Sequence, residues 1–200
     1  MLELLLDLTL RALEGFVFAA PCVGIWFLGL RFHKKAPPFA HMLAAFGLCL
    51  YLSGVLAATG IGKPFGFFPR ISLVPFVDMI KGPVDTTLNV LLFVPLGVLL
   101  PMLHPAFRTG GRIACGAFCL SLAIELTQMF GLGITDINDL MTNTAGACLG
   151  FLIFRRFSGQ RAETEKKKPQ SQSVRAWLEA FVIAASVFLS VMVFAPAFLR

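Results

Sequence analysis

Charge is what this sequence has least of: only 14% of its residues are Asp, Glu, Lys or Arg, against 57% hydrophobic. So few charges cannot cover a water-soluble domain of 200 residues, so the chain reads as an all-α polytopic membrane protein. It also lacks the motifs that announce chemistry, having no nucleophile elbow, P-loop, HExxH or CxxC. A disulfide framework is excluded by an odd number of cysteines, Cys22, Cys49, Cys115, Cys119 and Cys148, all inside apolar runs. Cys115 and Cys119 share a helix face and read as small packing residues. His33, His41 and His104 are scattered and read as interfacial or packed, not as metal ligands. A cleaved signal peptide is not expected, because Glu3 and Asp7 stand where its basic region would be. The net charge of +6 does not point to nucleic acid, because the basic residues lie between apolar runs and not on one face.

A spanning helix needs about 20 mostly apolar residues. Six stretches qualify: about 12–30, 39–59, 87–103, 112–130, 136–154 and 177–197. Pro21 and Pro95 fall inside the first and third, where each removes a helical hydrogen bond. The stretch after Gly60, rich in Gly, Pro and Phe, is too broken to span and too apolar to leave the membrane, so it reads as interfacial. The expected organisation is two spans over 1–60 and a core of three spans with the interfacial segment over 61–157. A basic loop over 158–175 and a last span over 176–200 follow.

Six spans allow an orientation to be read from Lys and Arg. Twelve of the 17 fall in one set of loops and five in the other, which places the first set in the cytoplasm and both termini outside. The basic 155–175 region then reads as an anchor for orientation and anionic lipid.

Against this background the stretch Ser121–Gly150 stands out, because it is apolar yet holds several polar groups. A charge at the centre of a spanning helix costs about 2.5–3.5 kcal/mol on insertion scales. Glu125 and Gln128 share a face near the end of the fourth span; Asp136, Asp139 and Asn143 form one stripe at the start of the fifth. Asn89 lies at the start of the third span, after Asp78, Lys81 and Asp85. All six polar positions are expected at the outer end. A structural reading competes with a functional one. Thr135 or Asp136 can cap the fifth span, Asp85, Thr86 or Thr87 the third, and Asn143 can be interhelical glue. Capping does not account for Glu125. The group as a whole suits acid–base chemistry or an oxygen-ligated divalent cation. Gly146-Ala-Cys-Leu-Gly150 is a GxxxG, expected to seat the fifth span on the third or fourth.

The same residues carry a resemblance. LVPF at Leu73–Phe76 and NVLLFVPLGVLLP at Asn89–Pro101 are followed by SLAIELTQ at Ser121–Gln128, DINDL at Asp136–Leu140 and NTAGACLG at Asn143–Gly150. In this order and spacing they resemble the VanZ-like family of bacterial membrane proteins, named for a teicoplanin-resistance protein. The resemblance covers about 71–154, and its polar positions correspond to Asn89, Glu125, Gln128, Asp136, Asp139 and Asn143. One departure is visible: the family carries an arginine before the aspartates, where this chain reads Gly131-Leu132-Gly133-Ile134-Thr135. The resemblance implies a multi-pass protein of the bacterial cytoplasmic (inner) membrane, active at its outer face and linked to glycopeptide resistance.

Together these readings give an envelope protein that binds or acts on an outer-leaflet lipid or lipid-linked cell-wall precursor. Glu125 and Asp139 would be acid and base, and Asn89, Gln128, Asp136 and Asn143 would bind substrate; the same oxygens are compatible with a divalent cation, and the cofactor is otherwise open. The alternatives are a proton-coupled carrier, against which stands the absence of an inverted repeat, and a non-catalytic scaffold.

Overall fold

The computed structural model describes residues 2–32, 37–61, 71, 72, 74, 76, 82–130, 135–158 and 170–198. The helices are α1 (Leu2–Phe32), α2 (Phe39–Ala58), α3 (Pro83–Leu103), α4 (Gly110–Gln128), α5 (Ile137–Ser158) and α6 (Gln170–Phe198). A 3-10 turn, Pro105–Phe107, joins α3 to α4. Two-residue strands, β1 (Ile71–Ser72) and β2 (Thr135–Asp136), pair in parallel, Ile71 opposite Thr135 and Ser72 opposite Asp136. The interfacial segment, except for a few of its residues, the connection 131–134 and the middle of the basic loop lie outside the described residues.

The chain is an all-α membrane protein, and five of its helices, all but α5, are long and apolar enough to cross a bilayer. α5 has the length, 22 residues or about 33 Å at 1.5 Å per residue. It falls short on apolarity because Asn138, Asp139, Thr142 and Asn143 fill its first two turns and Arg155 and Arg156 its last.

Several boundaries differ from the expected ones. α1 starts ten residues early, because Leu2 to Leu10 are good helix formers with no breaker among them. α3 starts at Pro83, the favoured first helical residue, so Asp85, Thr86 and Thr87 are inside the helix and do not cap it. The two threonine hydroxyls donate backwards instead, Thr86 to the Gly82 carbonyl at 3.1 Å and Thr87 to that of Pro83 at 2.7 Å. α4 ends at Gln128, two residues before the expected end of the fourth span, so Glu125 is in its last turn. α5 runs on to Ser158 and α6 begins at Gln170, so both ends of the expected basic loop are helical.

The chain divides into two compact units, residues 1–65 with 177–200, and residues 66–176. In the first, α1 packs along α2, and Ala19, Val23, Ala45, Leu48, Cys49 and Leu52 are buried. His41 is not simply packed: its Nε2 lies 2.5 Å from Oε1 of Glu179 on α6, and the edge of Phe27 closes on its ring.

In the second unit α5 packs along both α3 and α4. The GxxxG does what its spacing predicts, and α3 is the partner. A Cβ at Gly146 would run into the Val90 carbonyl, one at Gly150 into that of Val94, and one at Gly97 into that of Ala147. Three glycines therefore allow backbone-to-backbone contact along α3 and α5. This close seam fixes the height of one helix against the other.

Candidate functional site

The seam brings the start of α5 to the level of Asn89, and the end of α4 closes on it. Each predicted residue can be placed in turn. Asn89 Nδ2 donates to Asp139 Oδ1 at 2.6 Å, joining α3 to α5. Asp136 caps α5: its Oδ1 accepts the Asn138 backbone N–H at 2.9 Å. The Asp136 backbone N–H in turn donates to Glu125 Oε2 at 2.8 Å, and the Thr135 hydroxyl donates to the Glu125 carbonyl at 3.0 Å. Glu125 is thereby tied to the loop before α5 through both backbone and side chain, at 4% exposure. One turn back on α4, Ser121 meets Asn143, whose Nδ2 donates to its hydroxyl at 2.9 Å. The Asn143 side-chain oxygen is buried without a hydrogen-bond partner among the described residues. Gln128 is partly buried one turn beyond Glu125.

The result is a two-layer polar seam. Glu125, Asp136, Asp139 and Asn89 form the layer at the helix ends, and Ser121 with Asn143 the layer one turn deeper. Asp136 and Asp139 both lie close enough to act electrostatically on Glu125, and Asp85 acts on Asp139. Among the described residues no ion pair offsets these acids. Among the same residues, the ligating oxygens of Glu125, Asp136 and Asp139 do not all lie within 4.8 Å of one another. That is near the widest spread a single small cation tolerates, so a divalent ion would have to draw these side chains together.

The opposite end of this unit is basic. Arg112 donates to the Ala106 carbonyl at 2.7 Å and Arg108 to that of Pro101 at 3.3 Å. Arg108 and Arg155 lie over the Phe154 and Phe151 rings, each 5.9 Å from the centroid. Acids at one end of three helices and arginines at the other give the unit a lengthwise charge asymmetry.

The sequence pattern of the VanZ/LLP1 family matches residues 38–158, more than half of the chain. The chain belongs to the VanZ/LLP1 family. Protein VanZ of Enterococcus faecium is 41% identical over 69 residues, covering 33% of this chain and 41% of that protein. The similarity thus spans about two fifths of the relative's own length. No solved structure matches the chain. All the site residues described above fall within the family match.

Two participants were missed in the sequence. Asn138 is the more consequential: its Oδ1 accepts the Phe76 backbone N–H at 2.8 Å and its Nδ2 donates to the Val74 carbonyl at 3.2 Å. One side-chain amide thus acts as a short strand partner for the chain before α3. Phe76 has φ 69°, a left-handed conformation unfavourable for an aromatic residue, and the Asn138 bond holds it there. Ser121 is the other. Its position one turn before Glu125 was the available signal, since it continues that face of α4.

Proposed function

We propose that this protein binds, or acts on, an outer-leaflet lipid or lipid-linked cell-wall precursor at the polar end of its second unit, as an envelope protein linked to glycopeptide resistance. The observation that carries the reading is the convergence of Asn89, Glu125, Asp136 and Asp139 from three helices and a loop, with Arg108, Arg112, Arg155 and Arg156 at the other end. Arginines on the cytoplasmic side, by the positive-inside tendency, turn the acidic end outward across the bacterial cytoplasmic membrane. Membership in the VanZ/LLP1 family, and the partial likeness to Protein VanZ, support the link to teicoplanin. In this reading Glu125 and Asp139 exchange protons with the head group, while Asn89, Gln128, Asp136 and Asn143 orient it.

A structural reading has its own support, since the acids are bonded largely by neighbouring amides: Glu125 by the Asp136 N–H and Asp139 by Asn89. On that reading the polar layer only locks α3, α4 and α5 together.

The experiment compares a host without such a protein with hosts expressing wild type, Glu125→Gln or Asp139→Asn at matched membrane levels, scored for teicoplanin susceptibility. Protection by wild type that both variants lose is the expected result. Protection kept by both variants makes the layer a lock, and no protection by wild type overturns the resistance reading.

A further inference from the structure

The arginine end of the second unit brings no acid of its own. Between Asp85 and Glu125, and again from Leu140 to Ser158, the sequence holds neither Asp nor Glu. Four guanidinium groups stand in these stretches. Arg108 lies in the turn before α4, Arg112 in the first turn of α4, and Arg155 and Arg156 in the last turn of α5. Arg112, Arg155 and Arg156 are exposed, and the two on α5 make no hydrogen bond or ion pair among the described residues.

Two buried rings hold these groups in place. The Phe151 ring carries the Arg155 guanidinium, and the same ring would touch a Cβ on Gly110 at 3.8 Å, so it also borders the start of α4. Phe154, three residues on along α5, carries Arg108. Guanidinium groups from two elements therefore stand within one turn of each other. Arg108 and Arg112 are further oriented by the Pro101 and Ala106 carbonyls, which fix a guanidinium without neutralising it.

Depth and access follow from the helices. α4, with 19 residues, is about 28 Å long, close to a hydrocarbon core of about 30 Å. Its first turn thus lies at one membrane boundary and its last, with Glu125, at the other. The face is open and not enclosed, since a Cβ on Gly111 would meet nothing within 4 Å. From Arg156 toward the bilayer, Leu152 and Leu149 continue one exposed stripe of α5.

We propose that this face binds an anionic phospholipid with two phosphates, of the diphosphatidylglycerol type, in the cytoplasmic leaflet. Arg155 and Arg156 take one phosphate and Arg108 and Arg112 the other, because guanidinium forks match phosphate oxygens. Two clusters of positive charge, with no acid in their own stretches of chain, favour a dianion over a single phosphate. The Leu149–Leu152 stripe gives acyl chains a surface, which favours a lipid over a soluble diphosphate. The proposal rests on the arginine end alone and does not depend on what the acidic layer does.

The test uses the full-length protein in phosphatidylcholine nanodiscs doped with diphosphatidylglycerol or, at equal phosphate, with phosphatidylglycerol. Native mass spectrometry reads the lipid retained. Wild type is expected to retain diphosphatidylglycerol about fivefold over phosphatidylglycerol. Arg156→Gln should lower that retention about fivefold, the ratio that about 1 kcal/mol per surface arginine gives. Joined to Arg155→Gln, it should lower it about 25-fold. Arg31→Gln removes an exposed charge from the last turn of α1 and should leave retention unchanged. Should the double variant not fold, Arg156→Gln decides alone. Equal retention of the two lipids by wild type overturns the two-phosphate assignment. A loss in Arg31→Gln as large as in Arg156→Gln means diffuse attraction to a basic surface and overturns the site. Displacement by inorganic pyrophosphate as effective as by the lipid overturns the lipid assignment.

Discussion

Two carboxylates are buried among the described residues, Glu179 at 1% exposure and Glu125 at 4%, and they are held in opposite ways. Glu179 has a group that can become its counter-charge, His41, at 2.5 Å. Glu125 has a neutral backbone donor from Asp136 and two more acids nearby. A buried acid opposite a histidine has a partner whose removal is costly, so the contact can be accounted for as structure. A buried acid among acids is a poor way to stabilise a bundle. The contrast is why Glu125, and not the more deeply buried Glu179, is the one proposed for function.

The sharpest way to break this comparison is to take the histidine away. His41→Ala removes the histidine from beside the buried Glu179, and is expected to cost about 3 kcal/mol, the lower end for breaking a buried pair. Denaturation of the detergent-solubilised protein measures it. A loss below about 1 kcal/mol would mean the pair is no more stabilising than a surface contact, and the contrast would fail.

Next in size is the seam beneath Glu125. Gly146→Leu forces a side chain against the Val90 carbonyl, which belongs to a packed helix and cannot give way. It should cost about 3 kcal/mol, the upper range for overpacking. It should also separate Asp139 from Asn89, so the proposed teicoplanin protection should fall with stability. Full stability in this variant would show that α3 and α5 are less tightly seated than their glycines imply.

The smallest expected change in stability sharpens the comparison most. Glu125→Gln keeps an oxygen that can accept the Asp136 N–H, so the melting transition should shift by no more than about 1 kcal/mol. A shift as large as that of His41→Ala would place Glu125 beside Glu179 as a structural group.

The difference between these two acids also marks how far the sequence could be read. Glu125 was legible because Gln128, Asp136, Asp139 and Asn143 follow within 18 residues at helical spacing. Glu179 was not, because a lone acid after Trp177 at the start of an apolar run reads as interfacial. Its partner is 138 residues away, and nothing local names it. The GxxxG was legible as a close approach, while its choice of α3 required the three-dimensional register. Asn138 was visible as a polar residue but not as a staple, because its partners Val74 and Phe76 are recognised through backbone groups that carry no side-chain signature. Helix ends were misjudged where hydropathy and helix propensity part company. α1 and α6 extend beyond their apolar cores because the flanking residues favour a helix whether or not they favour lipid.

The Asn138 amide also has a consequence for the order in which this protein is made. Phe76 leaves the ribosome 62 residues before the side chain that holds it. At 5–20 residues per second that interval is roughly 3–12 s. During it α3 and α4 are synthesised, while the turn at Phe76 still lacks the group that stabilises its unfavourable φ. The helix that completes the unit is also its most polar, and it arrives after the apolar helices it packs against. α5 therefore acts as a closing wedge in biogenesis: its entry fastens the earlier turn, aligns the glycine seam and assembles the acidic layer in one late step.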